Sequence, residues 1–211
     1  MMPPARPDPA ATLCRLDPRF RPTVKAVGPC ALCPDPREPY EALVRAIASQ
    51  QVHGNAARAM LGRLIALFPG QPFPNPTQLR ALTSDQLRGC GFSAAKSTAI
   101  LGIADAVLTH LIPTRAEAEA FDDATLIAHL TSLRGIGRWT VEMLLIFTLH
   151  RPDVLPVDDF GIREGYRRLV GEETQPRPRQ LAEIGQAWAP VRSTASWYLW
   201  RIADSGKQKS A

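Results

Sequence analysis

The sequence predicts an all-α fold, and three observations lead to this prediction. Apolar residues recur at intervals of three and four over most of the chain. No segment shows the sustained alternation of apolar and polar residues that a half-buried strand requires. Proline and glycine separate the periodic segments, as in "FPGQPFPNP" at 68–76. With 211 residues, 45% of them hydrophobic and 21% charged, the chain can bury a core in one unit or two small lobes.

The N-terminal segment differs from the rest of the chain. Residues 1–36 carry many prolines and little periodicity apart from a short helix at 10–16, so we expect an arm over the surface. Helical spacing begins at Tyr40 and is carried by Leu43, Ile47, Val52, Ala56, Met60, Leu64 and Leu67. Further helices are predicted, in chain order, at 77–82, 84–88, 94–110, 123–131, 138–149, 160–169, 179–188 and 191–203.

The net charge indicates the kind of partner, and the cysteines indicate whether a zinc site is expected. The formal net charge is +5, and most of the 25 basic residues are arginines, whose guanidinium groups suit phosphate. This balance favours an anionic partner, although codon bias also produces chains rich in arginine and proline. Of the four cysteines, Cys30 and Cys33 form a C-x-x-C pair without a second pair, so we interpret them as reduced thiols rather than a zinc site.

The sequence gives no sign of secretion or membrane insertion. The first residues, "MMPPARPDPAATL", contain prolines where a signal peptide needs an apolar run, and no run of 18 apolar residues follows. We therefore expect a cytoplasmic protein that does not contact a membrane.

The stretch "LRGIGRWTVEM", at 133–143, predicts a helix-hairpin-helix. One helix should end near Thr131 and the next should begin at Arg138, with glycines allowing conformations and close approaches that a Cβ atom forbids. Backbone N–H groups at the second helix's start then face outward with the positive end of its dipole and bind phosphate irrespective of base sequence. The predicted phosphate-binding hairpin comprises Arg134, Gly135, Ile136, Gly137 and Arg138. The alternative is a plain turn between two helices.

Two adjacent acids form the second informative feature. Asp158 and Asp159 follow Pro156 and Val157 at a predicted helix start, within "RPDVLPVDDFGIREGY". An N-cap role explains one carboxylate at such a position. A second carboxylate in a basic chain that we expect to bind nucleic-acid phosphates nearby indicates a chemical role.

These residues carry a resemblance to a known family. "LRGIGRWTVEMLLIFTL" followed by "VLPVDDFGIR" resembles the helix-hairpin-helix DNA glycosylase superfamily, and within it the DNA-3-methyladenine glycosylase II branch. The likeness extends over 35–203, including "YEALVRAIASQQV" and "WAPVRSTASWYLWRIAD". It implies a two-lobed helical fold with a DNA-binding cleft between the lobes. The implied module is 37–211, with a central lobe at about 50–165, the hairpin at 126–149, and a second lobe made of the N- and C-terminal helices.

The resemblance also implies roles for individual residues. Asp159 would be the catalytic carboxylate, which stabilises the oxocarbenium character developing at C1′. The DNA wedge would be Gln51, Val52 and His53, and the base pocket would include Trp139, Met143 and Trp200. The sequence does not decide whether His53 touches the opposite strand or caps the next helix. Backbone carbonyls of Thr131, Leu133 and Ile136 would bind a monovalent cation, Na⁺ or K⁺, that bridges to DNA phosphate.

Some positions depart from relatives in the superfamily. Trp139 stands where bifunctional members have a Schiff-base lysine, so no lyase step is expected. No cysteine follows Cys90, so no iron–sulfur cluster is expected. The N-terminal segment is too short for the β-rich domain of some alkylbase glycosylases. Met143 replaces an aromatic pocket residue, which leaves the preferred base open.

We therefore expect a monofunctional DNA glycosylase that acts as a monomer on double-stranded DNA and needs no cofactor for its chemistry. Its substrates would be alkylated purines of the 3-methyladenine and 7-methylguanine type. Two alternatives remain open from the sequence. One is a helix-hairpin-helix module that binds DNA without chemistry, and the other is a glycosylase for another lesion class, such as an oxidised base or a mismatched pyrimidine.

Overall fold

The computed structural model describes residues 8–205, and every regular element in that range is helical, which confirms the predicted all-α class. The α-helices are α1 (Pro9–Leu16), α2 (Arg21–Val27), α3 (Pro39–Ser49), α4 (Gly54–Ala66), α5 (Pro76–Arg80), α6 (Ser84–Gly89), α7 (Ala94–Leu108), α8 (Arg115–Ala120), α9 (Asp123–Thr131), α10 (Arg138–Met143), α11 (Phe160–Val170), α12 (Pro178–Ile184) and α13 (Arg192–Ser205). Short 3₁₀ turns lie at Pro18–Phe20 and Gly185–Trp188, and a π-helical turn at Leu144–Thr148 extends α10. None of these helices is long and apolar enough to span a bilayer.

The structure adds two helices to the predicted set and changes the ends of others. α2 was not predicted because its segment is rich in proline. α8 begins with a capping box between Thr114 and Glu117, and the "T-x-x-E" spacing in the sequence is a signal for it. The helix predicted at 138–149 is α-helical only to Met143 and then widens into the π-helical turn. The helix predicted at 179–188 ends at Ile184 and continues as a 3₁₀ turn.

The chain divides into two units. The central unit is Pro34–Leu149, and the terminal unit combines the chain up to Cys33 with the chain from His150 onward. The predicted lobes had their boundary at about 50 and 165 instead. The difference arises because α3 packs against α7 in the central unit, whereas α11 packs against α13 in the terminal unit.

The N-terminal segment belongs to the core of the terminal unit. Residues 8–27, which we expected to run over the surface, instead bury Leu13 and Phe20 completely. The Phe20 ring meets the Trp188 ring edge-on with 5.5 Å between centroids. Trp188 donates from Nε1 to Asp17 at 3.0 Å. Although burial opposes ionisation, hydrogen bonds from Arg19 and Trp188 hold the pKa of Asp17 below its usual value. Residues 1–7 of the predicted arm lie outside the described residues.

Gly165 allows α11 to contact the backbone of α13 directly, and Gly161 leaves room for the side chains of Trp200 and Asp159. A Cβ atom at Gly165 would collide with the carbonyl group of Leu199, within 2.6 Å of its carbon. A Cβ atom at Gly161, one turn earlier, would lie 3.0 Å from Cδ1 of Trp200 and 3.1 Å from Oδ1 of Asp159. The small face formed by Gly161 and Gly165 therefore sets the separation of the two helices at the N-terminal end of α11.

We predict that Gly165→Ala lowers the free energy of unfolding by about 3 kcal/mol, because the added methyl group must displace backbone rather than a flexible side chain. Chemical denaturation followed by circular dichroism measures this change. Gly102→Ala is the matched control, since Gly102 lies within α7 and nothing stands within 4 Å of its Cβ position. That variant should be more stable by about 0.5 to 1 kcal/mol. Equal stability of the two variants would contradict the packing described for α11 and α13.

Candidate functional site

The hairpin lies where the sequence predicted it. α9 ends at Thr131 and α10 begins at Arg138, with Gly137 as its N-cap residue. Gly137 offers no side chain to cap the helix, and its carbonyl oxygen accepts from Thr140 at 2.9 Å. The N–H groups of a helix's first turn have no acceptor within the helix. The hairpin thus presents backbone donors at the positive end of a helix that continues to Thr148.

The two positions of the hairpin are occupied by glycine for different physical reasons. Gly135 has φ +89°, a left-handed conformation, and its Cβ atom would lie 2.7 Å from Cβ of Ala99 on α7. Gly137 has φ −88° and ψ 165°, which any residue adopts, and nothing lies within 4 Å of its Cβ position. Folding therefore requires a glycine at position 135 but not at position 137. The missing side chain of Gly137 leaves room for an outside group to approach the backbone.

The two arginines beside the hairpin differ in their partners. Arg134 is exposed in the turn. Arg138 donates from Nε to the buried carboxylate of Glu142 at 2.9 Å, while its side chain remains 61% exposed. This geometry holds the Arg138 guanidinium beside the first turn of α10, where both arginines add positive charge to the backbone donors.

The carbonyl groups predicted to bind a cation belong to the same turn. Thr131 is the last residue of α9, Leu133 lies in the turn and Ile136 is buried. The Leu133 carbonyl accepts from the N–H of Ile136 at 3.1 Å. Carbonyls near a helix C-terminus lack donors within the helix, and they are hard oxygen ligands that suit an alkali cation. Elsewhere, residues 8–205 contain no group of three or more His, Cys, Asp or Glu side chains placed to hold a metal.

The predicted wedge occupies the loop between α3 and α4. Gln51, Val52 and His53 are all exposed, and Gln51 has φ +54°, which is unusual for a residue other than glycine. His53 is the N-cap residue of α4, but its side chain makes no capping hydrogen bond. The capping interpretation of His53 is therefore not supported, and its imidazole faces solvent beside Gln51.

Asp159 is held in a defined orientation in the terminal unit. It is the N-cap of α11, where Oδ1 accepts from the N–H of Ile162 at 2.8 Å. The same oxygen accepts from Nε1 of Trp200 at 3.0 Å. Both side chains are half-buried, whereas Asp158 is exposed. Asp159 is therefore both the N-cap of α11 and the predicted catalytic carboxylate. The structure brings it into direct contact with Trp200, the predicted pocket tryptophan.

A cavity of about 230 Å³ lies beside this pair in the terminal unit. Its lining includes Phe160, Gly161, Glu164, Arg168 and Trp200. Hydrogen bonds from Arg167, Gln175 and Arg168 hold the pKa of Glu164 well below its usual range. Glu164 is therefore ionised at neutral pH, and it does not supply a proton to a substrate bound there.

The other predicted pocket residues belong to the central unit. Trp139 lies in the first turn of α10 and Met143 at its end, and both are half-buried. Thr140, between them, accepts a hydrogen bond from the side chain of Gln50 at 2.9 Å. Within this unit the structure therefore joins the hairpin helix to the predicted wedge loop.

Sequence reasoning missed two residues beside the predicted sites. Phe160 follows Asp159 and is 69% exposed, which is exceptional for a phenylalanine. Its place on the outer face of α11 could have been read from the helical period of "DDFGIREGY". Lys96 binds the loop that carries Gln51, across 46 residues of sequence, and no local pattern marks it.

Comparison with known proteins assigns the chain to a family. Residues 44–190 match the model described as HhH-GPD superfamily base excision DNA repair protein. Over 167 residues the chain is 46% identical to DNA-3-methyladenine glycosylase 1 of Schizosaccharomyces pombe, which covers 79% of this chain and 73% of that protein. The chain thus belongs to the HhH-GPD superfamily of base excision DNA repair proteins, which confirms the family that the hairpin and the acidic segment indicated.

Solved structures that resemble almost all of the chain include two of the glycosylase class. The S. pombe 3-methyladenine DNA glycosylase Mag1, in complex with abasic DNA, has a TM-score of 0.87 and 42% identity, covering 92% of this chain and 95% of that chain. A DNA-3-methyladenine glycosidase from Bacillus halodurans has a TM-score of 0.79 and 32% identity, covering 97% of this chain and 93% of that chain. The predicted fold family is therefore confirmed over almost all of the chain.

We predict that Gly137→Ser separates DNA binding from stability. A serine N-cap would accept from the first-turn N–H groups, so the variant should be as stable as the parent protein or more stable by a few tenths of a kcal/mol. The same hydroxyl occupies the donors and the space that a phosphate needs, so affinity for a duplex should fall about fivefold or more. Thermal denaturation and fluorescence anisotropy at one fixed salt concentration measure the two quantities.

Gly135→Ser serves as the contrasting variant. It places a side chain at a positive φ and against Ala99, so it should lose about 2 kcal/mol of stability. If Gly137→Ser bound DNA as tightly as the parent protein, the hairpin backbone would not be the phosphate contact.

Proposed function

We propose that this protein is a monofunctional DNA glycosylase that hydrolyses the N-glycosidic bond of alkylated purines in double-stranded DNA. The 3-methyladenine and 7-methylguanine type of lesion is the proposed substrate class. The observation that carries the proposal is the Asp159 carboxylate, fixed by Trp200 and by the start of α11 in a chain of this repair family. The names of the relatives at 46% and 34% identity, a DNA-3-methyladenine glycosylase and an alkylbase DNA glycosidase-like protein, support the substrate class.

The proposed reaction begins with DNA binding and base eversion. The N–H groups at Gly137 and Arg138, together with Arg134, bind the phosphates of one strand. The carbonyls of Thr131, Leu133 and Ile136 would hold a monovalent cation, which would add positive charge that attracts phosphate. Swinging a base out of the stack costs a few kcal/mol, and least for a damaged base. Gln51 fills the space that the nucleotide leaves, with Val52 and His53 beside it.

In this proposal Asp159 acts on the sugar. The bond from C1′ to the base nitrogen breaks, the base leaves with the bonding electrons, and C1′ gains positive character. Opposite charges about 4 Å apart at an effective dielectric constant near 20 attract by about 4 kcal/mol, or roughly a thousandfold in rate. Water then adds its oxygen to C1′ and releases a proton, which leaves an abasic site and a free base.

The proposed chemistry suits labile bases. Hydrogen bonds from Arg167 and Gln175 hold the pKa of Glu164 below its usual range, so this carboxyl group is not proposed as a general acid for the leaving base. A positively charged alkylated purine leaves as a neutral base and needs no such acid. Position 139 is a tryptophan and not an amine nucleophile, so the proposal excludes a lyase step.

Aromatic and flexible side chains are proposed to contact the everted base. Stacking on an indole contributes about 1 to 3 kcal/mol per base, and a cationic base gains a further attraction to the electron-rich ring. Trp200 is the residue proposed for this contact in the terminal unit, and Trp139 and Met143 are those proposed in the central unit. Because Nε1 of Trp200 is bound to Asp159, the same indole orients the carboxylate. No cofactor takes part in this chemistry, and we expect a cytoplasmic monomer.

We predict that Asp159→Asn lowers base release by about a thousandfold, because the amide is neutral but retains an oxygen that can accept from Ile162 and Trp200. Single-turnover excision of 7-methylguanine from a duplex, followed by alkaline cleavage of the abasic site, measures release. Asp158→Asn is the matched control, since it removes the same charge from an exposed neighbour and should keep release within about threefold. Full activity of Asp159→Asn would show that another group stabilises the transition state.

A panel of duplexes distinguishes the substrate classes. Oligonucleotides carrying 3-methyladenine, 7-methylguanine, hypoxanthine, 1,N6-ethenoadenine, an oxidised base or a mismatched pyrimidine are incubated with the protein and cleaved in alkali. Release of the two methylated purines is the expected result. Release only of an oxidised base or a mismatched pyrimidine would assign the protein to another lesion class. Tight DNA binding without release of any base would favour the DNA-binding module without chemistry.

A further inference from the structure

An ammonium group from α7 binds the backbone at the start of the loop that carries Gln51. Nζ of Lys96, on α7, donates to the carbonyl oxygen of Ala48 at 2.9 Å and to that of Gln50 at 2.8 Å. Both carbonyls lie at the C-terminal end of α3, where the negative end of the helix dipole attracts a cation. Lys96 is half-buried, and this burial lowers its pKa.

A second contact fixes the same loop to the hairpin helix. Nε2 of Gln50 donates to Oγ1 of Thr140 at 2.9 Å, and Thr140 is only 1% exposed. Gln50 therefore receives a bond at its carbonyl group and donates one from its side chain. The next residue, Gln51, is held at φ +54°, a sparsely populated conformation for glutamine. Such a conformation persists only where the surrounding contacts determine it.

The helix α7 supports the hairpin as well as the loop. Ala99, one helical turn after Lys96, is the residue against which Gly135 packs. Lys96 and Ala99 lie three positions apart and so face the same side of the helix. One short stretch of α7 therefore contacts both the wedge loop and the phosphate-binding turn.

We propose that Lys96 is a positioning residue for base eversion, which acts by holding Gln51 in its left-handed backbone conformation next to the bond from Gln50 to the hairpin helix. This inference rests on the proposed glycosylase function and adds a residue that has no role in the chemistry at C1′. Without the ammonium group the two carbonyls at the end of α3 lose their donor, and Gln51 relaxes toward an ordinary backbone conformation. Insertion into the duplex then becomes inefficient, whereas a base that is already unstacked needs no insertion.

The test compares one lesion in two DNA contexts. Single-turnover release of 1,N6-ethenoadenine or 7-methylguanine is measured in a fully paired duplex and in the same strand with the lesion in an unpaired bulge. Lys96→Met removes the charge and keeps the length of the side chain. We expect release from the duplex to fall about tenfold and release from the bulge to fall less than about threefold. Lys96→Arg keeps the charge and the donors and should recover much of the duplex activity.

A matched control separates positioning from loss of charge or stability. Nε of Arg63 donates to the carbonyl oxygen of Cys90 at 2.8 Å, at the end of α6 in the same unit. Arg63→Met therefore removes one positive charge and one cap of a helix C-terminus away from Gln51. It should leave the ratio of duplex to bulge release unchanged. An equal loss in both contexts for Lys96→Met would reduce Lys96 to a structural residue and overturn the proposal.

A second readout does not depend on catalysis. 2-Aminopurine placed next to a reduced abasic site becomes brighter when the stack beside it is opened. At saturating protein the parent should raise this fluorescence, and Lys96→Met should raise it less while the dissociation constant changes less than about threefold. Equal brightening by the two proteins would contradict the positioning role. If the parent released no base from any lesion but Lys96→Met still brightened the probe less than the parent did, the glycosylase assignment would fail and the positioning role would stand.

Discussion

The direct contact between α11 and α13 is the constraint on which the position of Asp159, the proposed catalytic carboxylate, depends. At Gly165 the backbone of Leu199 occupies the space of the missing side chain, and at Gly161 the side chains of Trp200 and Asp159 lie next to that space. At this separation Nε1 of Trp200 reaches Oδ1 of Asp159. The same oxygen caps α11, so one carboxylate is oriented by a helix start and by an indole from another helix. A larger residue at either glycine would move the carboxylate relative to the ring that holds it.

In the central unit, missing side chains at two glycines likewise shape the turn that is proposed to bind DNA. At Gly135 the absence of a side chain lets the hairpin turn pack on Ala99, inside the protein. At Gly137 the absence of a side chain leaves open space outside the protein, beside the first-turn N–H groups. Through Lys96 and Ala99 the helix α7 supports both the hairpin and the loop that carries Gln51. The elements proposed to hold the phosphates and to fill the stack thus share one rigid support.

Local patterns in the sequence predicted much of this structure. The hairpin, the helix after Asp159 and the last helix were predicted because apolar spacing, glycines and a cap residue lie within a few positions of each other. Features that depend on distant partners were not predictable in this way. Trp188 binds Asp17 across 171 positions, so the N-terminal segment could not be recognised as core from its own proline-rich composition. The bonds from Trp200 to Asp159 and from Lys96 to Gln50 span 41 and 46 positions. The π-helical turn after Met143 follows no known local signal in this sequence.

The central claim is that Asp159 stabilises positive charge at the sugar of an everted nucleotide, and a charged abasic mimic tests it most directly. Affinities are measured for two duplexes, one with a cationic pyrrolidine in place of the deoxyribose and one with neutral tetrahydrofuran. The protein should bind the cationic duplex about a hundredfold more tightly than the neutral one, as expected for a transition-state analogue. Asp159→Asn should lose most of that preference while binding the neutral duplex as the parent does. A preference for the cationic duplex that survived unchanged in Asp159→Asn would contradict the account.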